Sequence, residues 1–338
     1  MKRQFILLTA VLSALLTLGA CKGTPTLLPS VSGKAGEIIV VMEKPDWEDA
    51  LGNDVRELLA RDCAWLAQKE PLYSLVNVVP SAFADLFKVH RNILLFQVNP
   101  QTDTTGIIYK HDVWASPQCV IQISAPTSAL ASELLKEKGA MIVSSIEQAE
   151  RDRVIRNTLR YEERSLYRKV SEIFGGSPHF PSGYKLRKAT DDFVWIADDK
   201  EGVYQDVFVY RYPAGDDPLS PEHIIARRNE VMKDNVPGMF EGTYMTTSEF
   251  FQPTVEYLKY RGRDLAQTRG MWEVQNDFMG GPFVSHSFYS PDGTEIFVAE
   301  AFVYAPRFDK RQYLRQVESL LYSWEWENSE TLEEKDEK

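Results

Sequence analysis

Arg269-Gly270-Met271-Trp272 and Asp277-Phe278-Met279-Gly280-Gly281-Pro282-Phe283 form the densest group of side chains suited to holding a ligand. A Gly-Gly-Pro corner between aromatic-rich strands can bring backbone close to a ligand or to another backbone. Arg269, Trp272 and Asp277 beside Gly280 and Gly281 would then line a polar-rimmed apolar pocket. The plainer reading is a tight strand connection whose glycines serve only the turn. A second group is the basic row Arg153, Arg156, Arg160, Arg164 and Arg168, placed on one side of a predicted helix. Such a row suits an anionic ligand or a lipid headgroup. The plainer reading is a solvated helix back supported by i,i+4 pairs, Asp152–Arg156 and Arg168–Glu172.

Catalytic signatures are missing from the sequence. It contains no G-x-S-x-G, H-E-x-x-H, P-loop, strand-to-helix G-x-G-x-x-G or EF-hand loop. The five histidines (His90, His111, His179, His223 and His286) are scattered, with no i,i+4 pair and no cysteine at metal-ligand spacing. Ser285-His286-Ser287 invites comparison with a nucleophile and its base. Adjacent residues of a strand point to opposite faces, so those side chains diverge. No metal and no cofactor is expected.

The elements that would position these residues follow from periodicity and breakers. Glu37–Met42 reads as a short buried strand, and Asp46 opens a helix through Trp47, Val55, Leu58 and Leu59. Strands follow at Tyr73–Val79 and Asn92–Val98, and Gly106–Trp114 pairs antiparallel with Cys119–Ser124. A helix over Thr127–Lys138 is expected to stop at Gly139. The capping box Ser145-Ile146-Glu147-Gln148 is expected to open another that runs to Phe174, carrying the arginine row. Beyond Gly175-Gly176, strands dominate: Asp192–Asp198, Val203–Tyr212, a long stretch from Thr254 to Gln275, Phe283–Tyr289 and Glu295–Tyr304. Pro221 starts one intervening helix, and Asp309–Trp324 is a final amphipathic one. The expected fold is α+β: two lobes of mainly antiparallel sheet covered by helices. The lobes are expected at 37–177 and 178–326, with an acidic, solvated tail at 327–338.

Residues 1–20 read as a secretory signal. Lys2 and Arg3 precede an apolar run from Phe5 to Leu18, and small residues lead to Cys21. A cysteine at the cut is the lipobox pattern, so Cys21 is the expected lipidation site. Lys22–Gly36 is the expected stalk. The run is too short to remain as a membrane span. Removal of the signal leaves 36 Lys and Arg against 49 Asp and Glu, a net −13. Nucleic acid is a poor partner for that balance. Cys63 and Cys119 remain, and in an exported protein they either form a disulfide or serve as two small buried hydrophobes.

Several stretches together resemble an uncharacterised family of Bacteroidetes lipoproteins known only as a domain of unknown function. They are Tyr244-Met245-Thr246-Thr247, Arg269–Val274, Asp277–Phe283, Phe302–Arg311, Phe180–Tyr184 and Phe193–Ile196. The resemblance implies a lipoprotein of a diderm envelope and carries over no catalytic residue, substrate or cofactor. Lys22-Gly23-Thr24 lacks the acidic run that sends lipoproteins to the surface of such cells, so the expected position is the outer membrane, facing the periplasm. The functional expectation is a non-enzymatic binding module for a protein partner or small ligand, held at the membrane by its lipid. The alternative is an envelope hydrolase working with carboxylates alone.

Overall fold

The computed structural model describes residues 27–327. Cys21 and the tail from 328 onward lie outside the described residues. The first sheet contains β1 (Glu37–Val41), β2 (Ser74–Val78), β3 (Asn92–Val98), β4 (Gly106–His111) and β5 (Cys119–Ala125), in the order β2-β1-β3-β5-β4. Helices α1 (Lys44–Glu48) and α2 (Ala50–Leu59) join β1 to β2, and the short α3 (Asp85–Lys88) precedes β3. The α+β class holds, with one correction. In this sheet β1 runs parallel to β2 and β3, and β3 parallel to β5; the β4–β5 hairpin is antiparallel as expected. The physical reason lies in Ile38-Ile39-Val40-Val41. Ile38 and Val40 pack under α2, while Ile39 and Val41 pack under Phe83, Phe87 and Trp114. A strand buried on both faces reads as an unbroken apolar run, which is the signature of a parallel sheet.

Helix α4 (Ser128–Arg160) is continuous where two helices were expected. The Thr127 hydroxyl caps it, accepting from the Leu130 N–H. Gly139 lies inside the helix, because a Cβ there would sit 2.9 Å from Cδ1 of Leu58 on α2. Glycine there fits the close approach of Leu58, and the C-terminal role expected of it is corrected. Ser145 is likewise no cap; its hydroxyl bonds back to the Met141 carbonyl. The helix expected to reach Phe174 breaks at 161–163, where Glu163 donates its N–H to Phe180 and Glu162 bridges Pro181. Long-range backbone pairing there replaces helical bonds. Helix α5 (Arg164–Phe174) then packs Leu166, Val170 and Phe174 into the core of the second sheet. By packing, the chain changes lobe ahead of α5.

A two-stranded ribbon, β6 (Gly176–Ser177) with β15 (Glu325–Trp326), closes the second lobe. Its main sheet holds β7 (Lys185–Ala189), β8 (Phe193–Lys200), β9 (Val203–Pro213), β10 (Met245–Thr247), β11 (Thr254–Tyr260), β12 (Arg263–Val274), β13 (Gly280–Tyr289) and β14 (Glu295–Tyr304). The order is β10-β12-β13-β14-β9-β8-β7, with β11 also on β12, and every pairing is antiparallel. One face packs against α5 and α7 (Arg311–Leu321). The other packs against α6 (Pro221–Asn235). The end of α6 touches both edges of the sheet: Lys188 Nζ of β7 donates to the Asn235 carbonyl, and Val236 bonds to Met245 of β10. The sheet is therefore strongly curled around this helix.

At the centre of that curl Arg228 of α6 meets Glu300 of β14, both fully buried, through contacts of 2.7–3.0 Å. Arg228 also donates to the Thr247 hydroxyl of β10 and lies 3.9 Å from the Phe283 ring centre. Burial pushes the Glu300 carboxyl above its ordinary value, against the pull of Arg228. Removing one partner strands a buried charge, which costs about 3–5 kcal/mol, whereas replacing both with apolar groups is far milder. Denaturant titration is therefore expected to show Arg228→Met losing most of its stability, and Arg228→Met with Glu300→Leu regaining most of the loss. Equal destabilisation of single and double variants would contradict this assignment.

Candidate functional site

The residues expected around Gly280 separate on folding. Along β12, odd-numbered side chains face α7 and even-numbered ones face α6. Arg269 accordingly reaches Glu318 of α7, at 2.5 and 3.2 Å. Burial works to lower its pKa, but Glu318 outweighs that and holds the guanidinium charged. Trp272, 2% exposed, packs edge-to-face on Phe302 of the other face and donates to the Val303 carbonyl. No shared pocket of Arg269, Trp272 and Asp277 forms, which corrects the expectation. Gly280 and Gly281 lie within β13 and pair with Glu273 and Trp272. A side chain on Gly281 would collide with the Val303 carbonyl, so that glycine serves close strand packing. The turn itself is 275–279, with Asn276 in the left-handed region.

That turn contributes to a feature that no sequence motif marks. Gln275 donates to the Tyr244 carbonyl, and Val274 to that of Met279, so loops 237–244 and 275–279 are laced together at one end of β12. Gly238 closes the lacing, since a Cβ there would lie 2.7 Å from Cγ1 of Val274. From these loops Met239 (79%), Phe240 (61%) and a fully exposed Phe278 stand in solvent. The 248–253 loop between β10 and β11, along the same sheet edge, adds Phe250 (86%) and Phe251. Segments 237–253 and 275–279 contain Glu241, Glu249 and Asp277 and no Lys or Arg. The tip is apolar with an acidic rim.

The arginine row is dispersed, a second correction. Arg153 turns inward and donates to the carbonyls of Pro117 and Arg91 and to the Asn92 side chain. Arg156 and Arg160 remain exposed on α4, while Arg164 and Arg168 belong to α5 beyond the break. Cys63 and Cys119 are free thiols, so the disulfide alternative gives way. Cys119 lies in the core of the first sheet, where burial pushes its pKa up to about 11. Among the described residues, no three His, Cys, Asp or Glu are grouped to hold a metal ion. Nor is any described helix long and apolar enough to cross a membrane.

Residues 31–159 match the model of a domain of unknown function, DUF8532, and residues 163–323 match that of another, DUF4837. Both models describe domains of unknown function. No curated protein matches it. Among solved structures it is similar to a Bacteroides thetaiotaomicron protein, at 12% identity over 46% of each chain with a TM-score of 0.26. The alignment thus spans under half of that protein. The Saccharomyces cerevisiae Ran-binding protein Mog1p aligns at 8% identity over 45% of this chain and 90% of its own, with a TM-score of 0.31. LpqN of Mycobacterium tuberculosis, described as involved in cell envelope biogenesis, aligns at 13% over 43% and 79%, with a TM-score of 0.27. Likeness at that level carries no inference about function.

The buried acids bear on the hydrolase alternative. Burial works to raise the Glu147 carboxyl, yet two hydrogen bonds from Arg315 and one from the Tyr73 hydroxyl hold it below its usual value. Glu318 is tied to Arg269, and Glu300 to Arg228. Asp206 of β9 titrates near neutrality, since burial pushes it up to about 7 against one hydrogen bond from the Trp195 indole. It is 1% exposed among Phe208, Phe302 and Trp195, so a general-acid role lacks access for substrate. Its pKa has a stability consequence. A carboxyl raised from 3.8 to about 7 favours the folded state below 3.8 and loses that contribution as pH rises through 7. Asp206→Asn is therefore expected to gain on the parent progressively between those values and to hold a constant advantage above them, as urea titrations across pH would show. An advantage independent of pH would contradict the buried, neutral acid.

Proposed function

We propose that this chain is a non-enzymatic lipoprotein of the cell envelope, tethered through Cys21, that docks a protein partner on the exposed tip of its DUF4837 domain. The observation that carries the reading is the crowding of Met239, Phe240, Phe250 and Phe278 onto one sheet edge, all largely exposed. Soluble monomers rarely expose large apolar patches, and aromatic residues and Met are enriched in the cores of interfaces. The acidic rim of Glu241, Glu249 and Asp277 suits a partner with apolar pockets and a basic border. The same rim disfavours an anionic bilayer as the occupant. Five residues lie between Cys21 and Leu27, six backbone steps of at most about 3.6 Å each, so a lipid on Cys21 keeps the body close to its membrane. The sequence after Cys21 supports the outer membrane, facing the periplasm.

Photo-crosslinking in cells tests this reading. A benzoyl-phenylalanine at Phe278 is expected to give a discrete protein adduct that the same group at Ile108, exposed on an edge strand of the first sheet, does not give. Phe240→Asp is expected to abolish the adduct and to weaken the captured partner's affinity about thirtyfold, as loss of a hot-spot aromatic does. Identical adducts from both positions, or indifference to Phe240→Asp, would sink the proposal.

A further inference from the structure

A cleft of about 470 Å³ opens between the two domains. Arg61, Cys63 and Trp65, from the loop after α2, form one wall; Arg151 of α4 and Arg311 of α7 face it. Five arginines line the cleft against four carboxylates. Arg269 and Arg315 are taken up by Glu318 and Glu147, and Asp62 pairs with Lys69. Among the described residues, Arg61, Arg151 and Arg311 have no carboxylate at ion-pair distance, although Glu70 lies close enough to act on Arg311. This is a local excess of positive charge in a chain of net −11.

Two of these guanidinium groups are held in place before any ligand arrives. Arg151 lies 3.5 Å from the Tyr322 ring centre and donates to Gln148. Arg311 donates to the Pro71 carbonyl and the Ser74 hydroxyl, and its buried Nε has no acceptor. The independent observation is Trp65, whose φ is +67°. A bulky aromatic in the left-handed region is strained, and glycine would take that conformation freely. Such strain persists where surrounding structure enforces it, and it concentrates at ligand clamps. Here the Cys63–Glu70 and Leu72–Arg61 backbone bonds pin the loop, leaving the half-buried indole at the cleft.

We propose that this cleft binds a small organic anion, its carboxylate or phosphate held by Arg61, Arg151 and Arg311 and its flat body against Trp65. Arginine suits this role because its planar fork matches either oxyanion through charge-assisted, bidentate hydrogen bonds. Domain interfaces are common places for such pockets.

Calorimetry on the intact protein in detergent, with phenyl phosphate, benzoate and inorganic phosphate as probes, tests the site. Phenyl phosphate or benzoate is expected to bind saturably and more tightly than inorganic phosphate, and the order of those two identifies the oxyanion. Arg61→Gln, at an exposed position, and Arg151→Gln are each expected to weaken binding about tenfold. Trp65→Gly is expected to raise the melting temperature while weakening phenyl phosphate and sparing inorganic phosphate. Absence of saturable binding by all three probes at millimolar concentration would overturn the proposal. So would Arg61→Gln and Arg151→Gln variants that bind as the parent does.

Discussion

A carboxylate removed from water must find donors, and Glu70 finds them 240 residues away. Glu70 is buried, and its two oxygens accept the backbone N–H groups of Lys310 and Arg311 at 2.7 and 2.8 Å. Those donors open helix α7, where N–H groups have no partner within the helix and the dipole favours negative charge. The bond thus satisfies two obligations, one from each domain. Around it, Lys310 Nζ reaches Gln68, Leu66 packs against the core of the second sheet, and Arg315 joins Glu147 of α4. Glu150, one turn further along α4, accepts from Gly36, Asn92 and Arg91. Helix α4 therefore connects the strand starts of the first sheet to α7 of the second domain.

The second domain solves a different problem. A curled sheet wrapped on one helix must fix that helix along its axis, since apolar contacts alone allow it to slide. Arg228, paired with Glu300 and bonded to Thr247, is directional and registers α6 against β14 and β10. With α6 fixed, Val236 and Pro237 emerge next to β10, and loop 237–244 is laced to loop 275–279. The exposed tip is thus mounted on sheet edge and helix end, not on free loop. Preorganised apolar side chains lose little conformational freedom on docking.

Much of the fold was legible because local signals and long-range packing agreed. The strands from Phe193 to Tyr212 and from Phe283 to Tyr304, and the final amphipathic helix, stand close to where periodicity placed them. Disagreements arose where one residue type serves two purposes. Gly139 reads as a helix stop but fits the approach of Leu58, and Ser145 reads as a cap but bonds within its helix. The expected strand from Thr254 to Gln275 is a hairpin that turns at Arg261-Gly262, both with positive φ; a lone glycine between charged residues was a weak turn signal. The candidate site was less legible. Arg269 and Trp272 are three apart, and three positions along a strand separate faces that three positions along a helix would join. The tip did leave a trace, in the Met239-Phe240 and Phe250-Phe251 pairs within turn-rich segments, whereas nothing local marks Arg61, Arg151 and Arg311 as neighbours.

Glu70 and Glu147 thus lock the two domains into one cooperative body. Native-state hydrogen exchange, followed separately in β3 of the first domain and β14 of the second, tests it most directly. One common opening free energy is expected for both strands in the parent protein, and two separate values in a Glu70→Ala, Glu147→Ala variant. Distinct values already present in the parent, or a common value that survives both substitutions, would contradict it.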